Sequence, residues 1–213
     1  MKLITTKVIN IISVMSAGIL IALATVGTIH GIDVGILTRD VAAIAGVHPF
    51  VGILSNLGIL LWCVTAAICL FAAIAIDGKA PKSIYGFLLS SALVSSWLLF
   101  DDLFLFHEYL ARQYLDLSER TVFIALGITI FAYLVIFRNT ILKSNHPFLL
   151  ITALGFLTAS VFVDQAFDET LPLANWTYFF EDSLKWIGIS CWCSFYVTTA
   201  YQFLLNSFSG ESV

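Results

Sequence analysis

Several ionisable side chains of this chain lie inside strongly apolar segments or at their ends. Asp101 and Asp102 are followed directly by the four apolar residues Leu103 to Phe106. An ionised side chain in hydrocarbon costs roughly 3 kcal/mol or more, so such a residue is by default a functional-site hypothesis. The residues that meet this description are Asp101, Asp102, His107, Glu108, Asp164, Asp168, Glu181, Asp182 and Lys185.

The residue types of this set suit a metal ion. Carboxylates with one or two imidazoles bind hard divalent cations such as Mg²⁺, Ca²⁺ or Mn²⁺, and more imidazole favours Zn²⁺ or iron. Glu108 or Glu181 is the predicted general base for a water that the metal activates. Asn56, Asp168 and Lys185 are predicted to support the ligands. The predicted ligands are Asp101, Asp102, His107, Asp164 and Asp182.

Helical spacing predicts how these side chains are presented. Asp101 and Glu108 are seven residues apart, which places them on nearly one face of a continuous helix. Glu181 and Lys185 have the i,i+4 spacing of an ion pair within one helix. The alternative interpretation is solvation, in which acids at helix ends simply face water. It is weaker for Asp101 and Asp102, which lie within an apolar segment.

The composition indicates an integral membrane protein. Hydrophobic residues make up 60% of the 213 residues and charged residues 11%, against roughly 45–50% and about 25% in soluble domains. The sequence has no phosphate-binding glycine loop and no long basic tail. Nucleotides and nucleic acids are therefore not expected partners, and the expected partner is the lipid bilayer.

The apolar windows predict an all-α fold, a polytopic transmembrane helical bundle of about six spans. Each window is close to the roughly 20 residues that cross a hydrocarbon core about 30 Å thick. No connection between them is long enough to fold separately, so residues 1–213 are predicted to form a single transmembrane helical domain. The predicted spans lie near 8–29, 50–76, 84–106, 121–137, 147–163 and 182–205.

The basic residues predict the orientation, because lysine and arginine are retained preferentially on the cytoplasmic side. With six spans, both termini share one side with most of the basic residues and only two acids, Asp77 and Glu211. We therefore expect cytoplasmic N and C termini in a bacterial inner (plasma) membrane. The acidic cluster then faces the extracytoplasmic side. The basic residues on the cytoplasmic side are Lys2, Lys7, Lys79, Lys82, Arg138 and Lys143.

The chain is loosely similar to the membrane hydrolases related to alkaline ceramidases and adiponectin receptors. The similarity lies in size, hydrophobicity and the step Ser55–Asn56 before a polar third segment. It implies a lipid hydrolase, but the His-x-x-x-His zinc pair of that family has no counterpart, since the sixth segment offers Glu181–Asp182 and no histidine. No resemblance covers enough of the chain to identify a family.

Three functional hypotheses follow from the sequence. The first is a metal-dependent membrane hydrolase acting on a lipid or lipid-linked substrate, with a divalent metal ion as cofactor. The alternative is a cation- or proton-translocating transporter or channel, but transporter sites usually lie near the midplane, where this sequence offers few polar residues. A further alternative is an accessory subunit of a membrane complex.

Overall fold

The structure is a computed structural model that describes residues 2–166 and 174–209. It is 87% helical and has no strands in those two ranges, so the predicted all-α fold is confirmed. The chain divides into two compact units, Met1–Ile53 and Leu54–Val213.

The first unit contains one long helix and two short ones, α1 (Lys2–His30), α2 (Val34–Thr38) and α3 (Val41–Ala45). Asp33 caps α2, because its carboxylate accepts the backbone N–H of Gly35 at 2.9 Å. Gly46 ends α3 in the left-handed conformation, with φ of 66°. The connection between the first two predicted spans is thus partly helical.

The second unit carries the remaining elements. Ser118 caps α7 by accepting the backbone N–H of Thr121, and Pro147 occupies the first position of α8, where its missing N–H costs nothing. The elements are α4 (Ile53–Ile76), α5 (Lys82–Phe104), a π-helical turn (Phe106–Leu110), α6 (Ala111–Leu115), α7 (Glu119–Leu142), α8 (Pro147–Ala166) and α9 (Ala174–Ser209).

Within residues 2–166 and 174–209, five helices are long and apolar enough to cross a membrane, and they match the first five predicted spans. Their apolar stretches are Ser13–His30, Ile53–Ile76, Lys82–Phe104, Glu119–Leu142 and Pro147–Gln165. The sixth predicted span, 182–205, lies within α9, which has 36 residues. At 1.5 Å per residue α9 is about 54 Å long, well beyond a hydrocarbon core of about 30 Å.

Aromatic side chains fill the core of the second unit, where Trp62, Phe87, Trp192, Tyr196 and Phe203 are almost fully buried. Small residues let the helices approach closely between these rings, as is usual in membrane bundles. The outer faces remain apolar, which suits contact with hydrocarbon rather than water. On α7 these outward residues include Ile124, Ile128, Phe131, Val135 and Ile136.

The third predicted span is broken near its end, and the prediction that Asp101 and Glu108 share one helical face was wrong. Helix α5 ends at Phe104, and Leu105 takes the left-handed conformation with φ of 51°. The chain then re-enters a helix through the π-helical turn. The physical reason is a competing contact, because the Asp101 carboxylate accepts the backbone N–H of His107 at 3.1 Å.

Candidate functional site

The ionisable residues singled out in the sequence gather at one end of the second unit, called here the acidic end. It is where α5 and α8 end and where α7 and the polar part of α9 begin. Asp168 lies outside the described residues. The acidic end consists of Asp101, Asp102, His107, Glu108, Glu119, Asp164, Glu181, Asp182 and Lys185.

A buried acid–imidazole pair forms its centre. His107 Nδ1 lies 2.7 Å from Asp101 Oδ2, and the other oxygen of Asp101 accepts the backbone N–H of His107. Asp101 is 4% exposed and His107 is 7% exposed. The ring centroids of Phe123 and His107 are 4.8 Å apart. Both the position and the rotation of the ring are therefore fixed, with Nδ1 directed at the carboxylate.

The second ring nitrogen of His107 faces a further acid. Nε2 lies 3.5 Å from Glu108 Oε1, and the Glu108 side chain is 54% exposed. Burial lowers the pKa of His107, but the hydrogen bond and charge of Asp101, with the charge of Glu108, together raise it above its ordinary value. The raised pKa favours the protonated imidazole, and Nε2 is the ring nitrogen that is left to exchange a proton.

A second ion pair lies beside the first. Lys185 Nζ is 2.8 Å from Asp102 Oδ1, and the indole N–H of Trp62 donates to Asp102 Oδ2 at 2.8 Å. The Asp102 side chain is 10% exposed, so both oxygens are satisfied away from water. The predicted partner of Lys185 was Glu181 on the same helix. The structure instead pairs Lys185 with an acid of α5, because the Asp102 carboxylate is the more deeply buried of the two and gains more from a cation.

Two further acids share one amide group. Gln165 Nε2 donates to Asp164 Oδ2 at 2.9 Å and lies 3.4 Å from Glu119 Oε1, so α7 and α8 meet there. The sequence analysis did not identify Glu119 or Gln165. The two residues are 46 positions apart, so no local pattern in the sequence indicates their contact.

Burial, with the charges of Asp164 and then Asp182, raises the pKa of Glu181 to about 7. Glu181 precedes the predicted sixth span.

A small crevice opens next to the second ion pair. Asp182 is exposed at its mouth, and Ser55 lies opposite on α4. Asn56, predicted to support the ligands, is exposed on α4 and does not line the crevice. The lining residues are Leu54, Ser55, Gly58, Asp102, Asp182, Lys185, Trp186 and Ile189.

Beneath the acidic end two tryptophans pack edge to face, with 5.7 Å between the ring centroids of Trp62 and Trp192. The Trp192 indole N–H donates to Ser95 at 3.1 Å. An indole N–H only donates hydrogen bonds, so these rings do not pass a proton onward. The pair forms an aromatic floor under the acidic end.

Deeper in the core lies a hydrogen-bonded chain that the sequence analysis did not identify. Tyr196 Oη donates to Tyr133 Oη at 2.9 Å, and Tyr133 Oη lies 2.7 Å from Ser91 Oγ. No local pattern in the sequence distinguishes a fully buried tyrosine from one that faces lipid. The three residues join α5, α7 and α9.

The predicted metal ligands divide among these groups. Asp101 with His107, Asp102 with Lys185, and Asp164 with Gln165 each have a protein partner. In the ranges that the structure describes, no three His, Cys, Asp or Glu side chains are grouped closely enough to hold a metal ion. What the arrangement offers chemically is a fixed imidazole between two carboxylates, with a carboxylic acid that titrates near neutral pH.

One protein family has a model that matches residues 12–199, and its description is "domain of unknown function (DUF8692)". The chain belongs to this family. No curated protein and no solved structure matches it. The description of the family names no activity, so the function is argued from the acidic end itself.

Proposed function

We propose that this chain is an integral membrane hydrolase that acts on a lipid or lipid-linked substrate at its acidic end. In this proposal the chain crosses a bacterial inner membrane six times, both termini are cytoplasmic, and the acidic end is extracytoplasmic. The distribution of basic residues supports the orientation.

The observation that carries the proposal is the buried Asp101–His107 pair. A base that is held in one tautomer by a carboxylate is the arrangement that acid–base catalysis requires. Asp101 acts as a positioning residue, and His107 Nε2 takes the proton of an attacking water. Burial of an imidazole and a carboxylate away from water is costly, and titratable groups held in such surroundings cluster at functional sites.

Glu181 supplies the second half of an acid–base pair. With a pKa of about 7, it is partly protonated at neutral pH and can give a proton to a leaving group. Glu108, which faces His107 Nε2, is the second carboxylate on the reacting side. The sequence predicted Glu108 or Glu181 as the general base; in this proposal His107 takes that role and Glu181 is the general acid.

The depth of the acidic end favours a site entered from one side. The Trp62–Trp192 floor closes it towards the bundle core. An aromatic cluster directly precedes His107 in the chain: the Trp97 and Phe106 ring centroids are 5.2 Å apart, and Phe104 is 51% exposed. Aromatic rings are the usual anchors of a protein at the lipid headgroup level, so a lipid could reach His107 laterally.

A divalent cation as the cofactor gives a second version of the proposal. Since Asp101 uses Nδ1 of His107, Nε2 is the nitrogen that would bind the ion, and Glu108 beside it, rather than His107, would then accept the proton of the water. A carboxylate behind a metal-binding histidine is a common arrangement. In that case Asp101 orients the ligand rather than binding the ion. A chelator that abolishes hydrolysis, with rescue by one divalent ion, would establish the cofactor.

A proton pathway is the second candidate function, and the Ser91–Tyr133–Tyr196 chain is the observation that favours it. Hydroxyl groups in series can both accept and donate a proton. Tyr133→Phe would break the chain at its middle. A pH-driven proton flux in liposomes that Tyr133→Phe abolishes would support this candidate over hydrolysis.

The hydrolase proposal is tested with purified protein in mixed micelles. Phosphatidylethanolamine and phosphatidylglycerol are supplied separately, and released fatty acid or head group is measured by mass spectrometry. Wild type should release product, and His107→Gln should lose activity by about 10²-fold or more. Arg112→Gln, an exposed change in α6, is the matched control. If wild type released product from neither of the two lipids, that result would contradict a glycerophospholipid hydrolase.

A further inference from the structure

We propose that the crevice beside Asp102 and Lys185 binds a primary ammonium group that is linked to a phosphate, the head group of an ethanolamine lipid. This deepens the proposed function by naming the head group of its substrate. The test below measures binding alone, so its failure is distinguishable from a failure of hydrolysis.

The charges of the crevice favour a ligand that carries both signs. Asp102 has both oxygens occupied, one by Lys185 and one by Trp62. Asp182 is exposed at the mouth, and among the described residues it has no ion-pair partner within 4.0 Å. The crevice therefore holds two carboxylates for one ammonium and offers the Asp182 carboxylate to an incoming cation.

The same crevice offers donors to an anion. The Lys185 ammonium has three N–H groups and spends one on Asp102. Its side chain is 33% exposed, so the remaining donors can reach a ligand. A phosphate oxygen bonded there would gain a charge-assisted hydrogen bond.

Helical spacing places the two subsites on one side of α9, because Asp182 and Lys185 are i,i+3. Both side chains line the same crevice, so a ligand that carries an ammonium and a phosphate a few bonds apart can contact both. The Ser55 hydroxyl on α4 is a further acceptor for an ammonium N–H, and Trp186 forms an apolar and aromatic wall for the linking carbons.

The inference is tested by lipid retention. Purified protein is mixed with equal amounts of phosphatidylethanolamine, phosphatidylglycerol and phosphatidylcholine in detergent, and the lipids that co-purify are counted by native mass spectrometry. Wild type should retain phosphatidylethanolamine about tenfold over phosphatidylglycerol, as one charge-assisted hydrogen bond allows. Phosphatidylcholine should be retained less, because its quaternary ammonium has no N–H to donate.

Asp182→Asn should remove the preference and Ser55→Ala should reduce it. Asp116→Asn, the same change of charge at an exposed position outside the crevice, should leave it intact. Melting temperatures check that each variant is folded. Equal retention of the three lipids by wild type, or an unchanged preference in Asp182→Asn, would overturn the inference. Excess soluble phosphoethanolamine distinguishes a lipid ligand from the free head group. If the preference for phosphatidylethanolamine persists in its presence, the ligand is the lipid; if the preference disappears, the crevice binds the free head group.

Discussion

Lys185 is the residue that balances the charge of the buried Asp102. If it is replaced by methionine, Asp102 keeps its Trp62 contact but loses its cation. Breaking a buried pair costs about 3–5 kcal/mol, and the partial exposure of Lys185 reduces this. We expect Lys185→Met to lower the free energy of unfolding by about 2 kcal/mol.

The matched variant restores the balance. Lys185→Met combined with Asp102→Asn removes both charges and keeps an acceptor for the Trp62 N–H, so it should recover most of the lost stability. Reversible unfolding in mixed detergent would measure both. A double variant less stable than Lys185→Met would show that the pair does not act as a unit.

The sequence predicted which ionisable residues gather at the acidic end better than it predicted what each of them contacts. Asp101, Asp102 and His107 stood out because charges inside apolar segments are costly. The folding back of His107 onto Asp101 was not predictable, because it needs Leu105 at positive φ, and leucine rarely adopts that conformation. The pairing of Lys185 with Asp102 depends equally on a contact between helices.

Among the secondary-structure elements, the break after α5 holds Leu105 in an unfavourable backbone conformation. Leu105 has φ of 51° and is 49% exposed, so little packing is lost if it becomes glycine. Glycine adopts positive φ without the cost of roughly 1–2 kcal/mol that a side chain pays. Leu105→Gly should therefore raise the melting temperature.

Leu103 is the matched control for this prediction. It is equally exposed at 49% but lies inside α5, where glycine costs roughly 1 kcal/mol. Leu103→Gly should lower the melting temperature. If both variants destabilised the protein equally, the left-handed turn at Leu105 would be doubtful.

The contact between α8 and α9 depends on Gly188. A Cβ at that position would lie 2.8 Å from Leu157 Cγ and 3.0 Å from the Leu157 backbone nitrogen. Since backbone cannot move aside cheaply, Gly188→Ala should destabilise the protein by about 1–3 kcal/mol. Gly155→Ala, where nothing lies within 4 Å, should be neutral or slightly stabilising. Equal effects would contradict the close approach of the two helices.

The elements themselves were largely predictable, because apolar length is a strong signal. Five predicted spans match helices that are long and apolar enough to cross a membrane. The π-helical turn and α6 were missed, since Leu103 to Phe106 read as a simple continuation of the third span. The buried chain through Tyr133 and Tyr196 was missed because burial of a hydroxyl depends on its partners, not on its neighbours in sequence.

At the scale of the whole molecule, the orientation is a prediction from charge. In a variant without the four native cysteines, Lys79→Cys and Lys143→Cys should react with an impermeant thiol reagent only after the membrane is opened. Gln113→Cys, in α6 at the acidic end, should react in intact cells. The opposite pattern would place the acidic end in the cytoplasm and remove the argument for a substrate from the outer leaflet.

In the proposed hydrolase His107 is the base and Glu181 the acid of one reaction, and the pH dependence of lipid hydrolysis tests these two roles. His107 must be neutral to accept a proton. Because its pKa is raised, the neutral form appears only above about pH 6.5, and the rate should rise with pH in that range. Glu181 must be protonated to donate a proton. Its pKa is about 7, so it loses that proton at higher pH and the rate should fall there.

The measurement is the rate of product release between about pH 5 and pH 9 for wild type and three variants. Wild type should give a bell-shaped profile, Glu181→Gln should lower the rate and lose the falling limb, and His107→Gln should be inactive. Asp101→Asn should move the rising limb to lower pH, because the charge that raises the pKa of His107 is gone. A wild-type rate that is independent of pH, or one that His107→Gln leaves unchanged, would contradict the account.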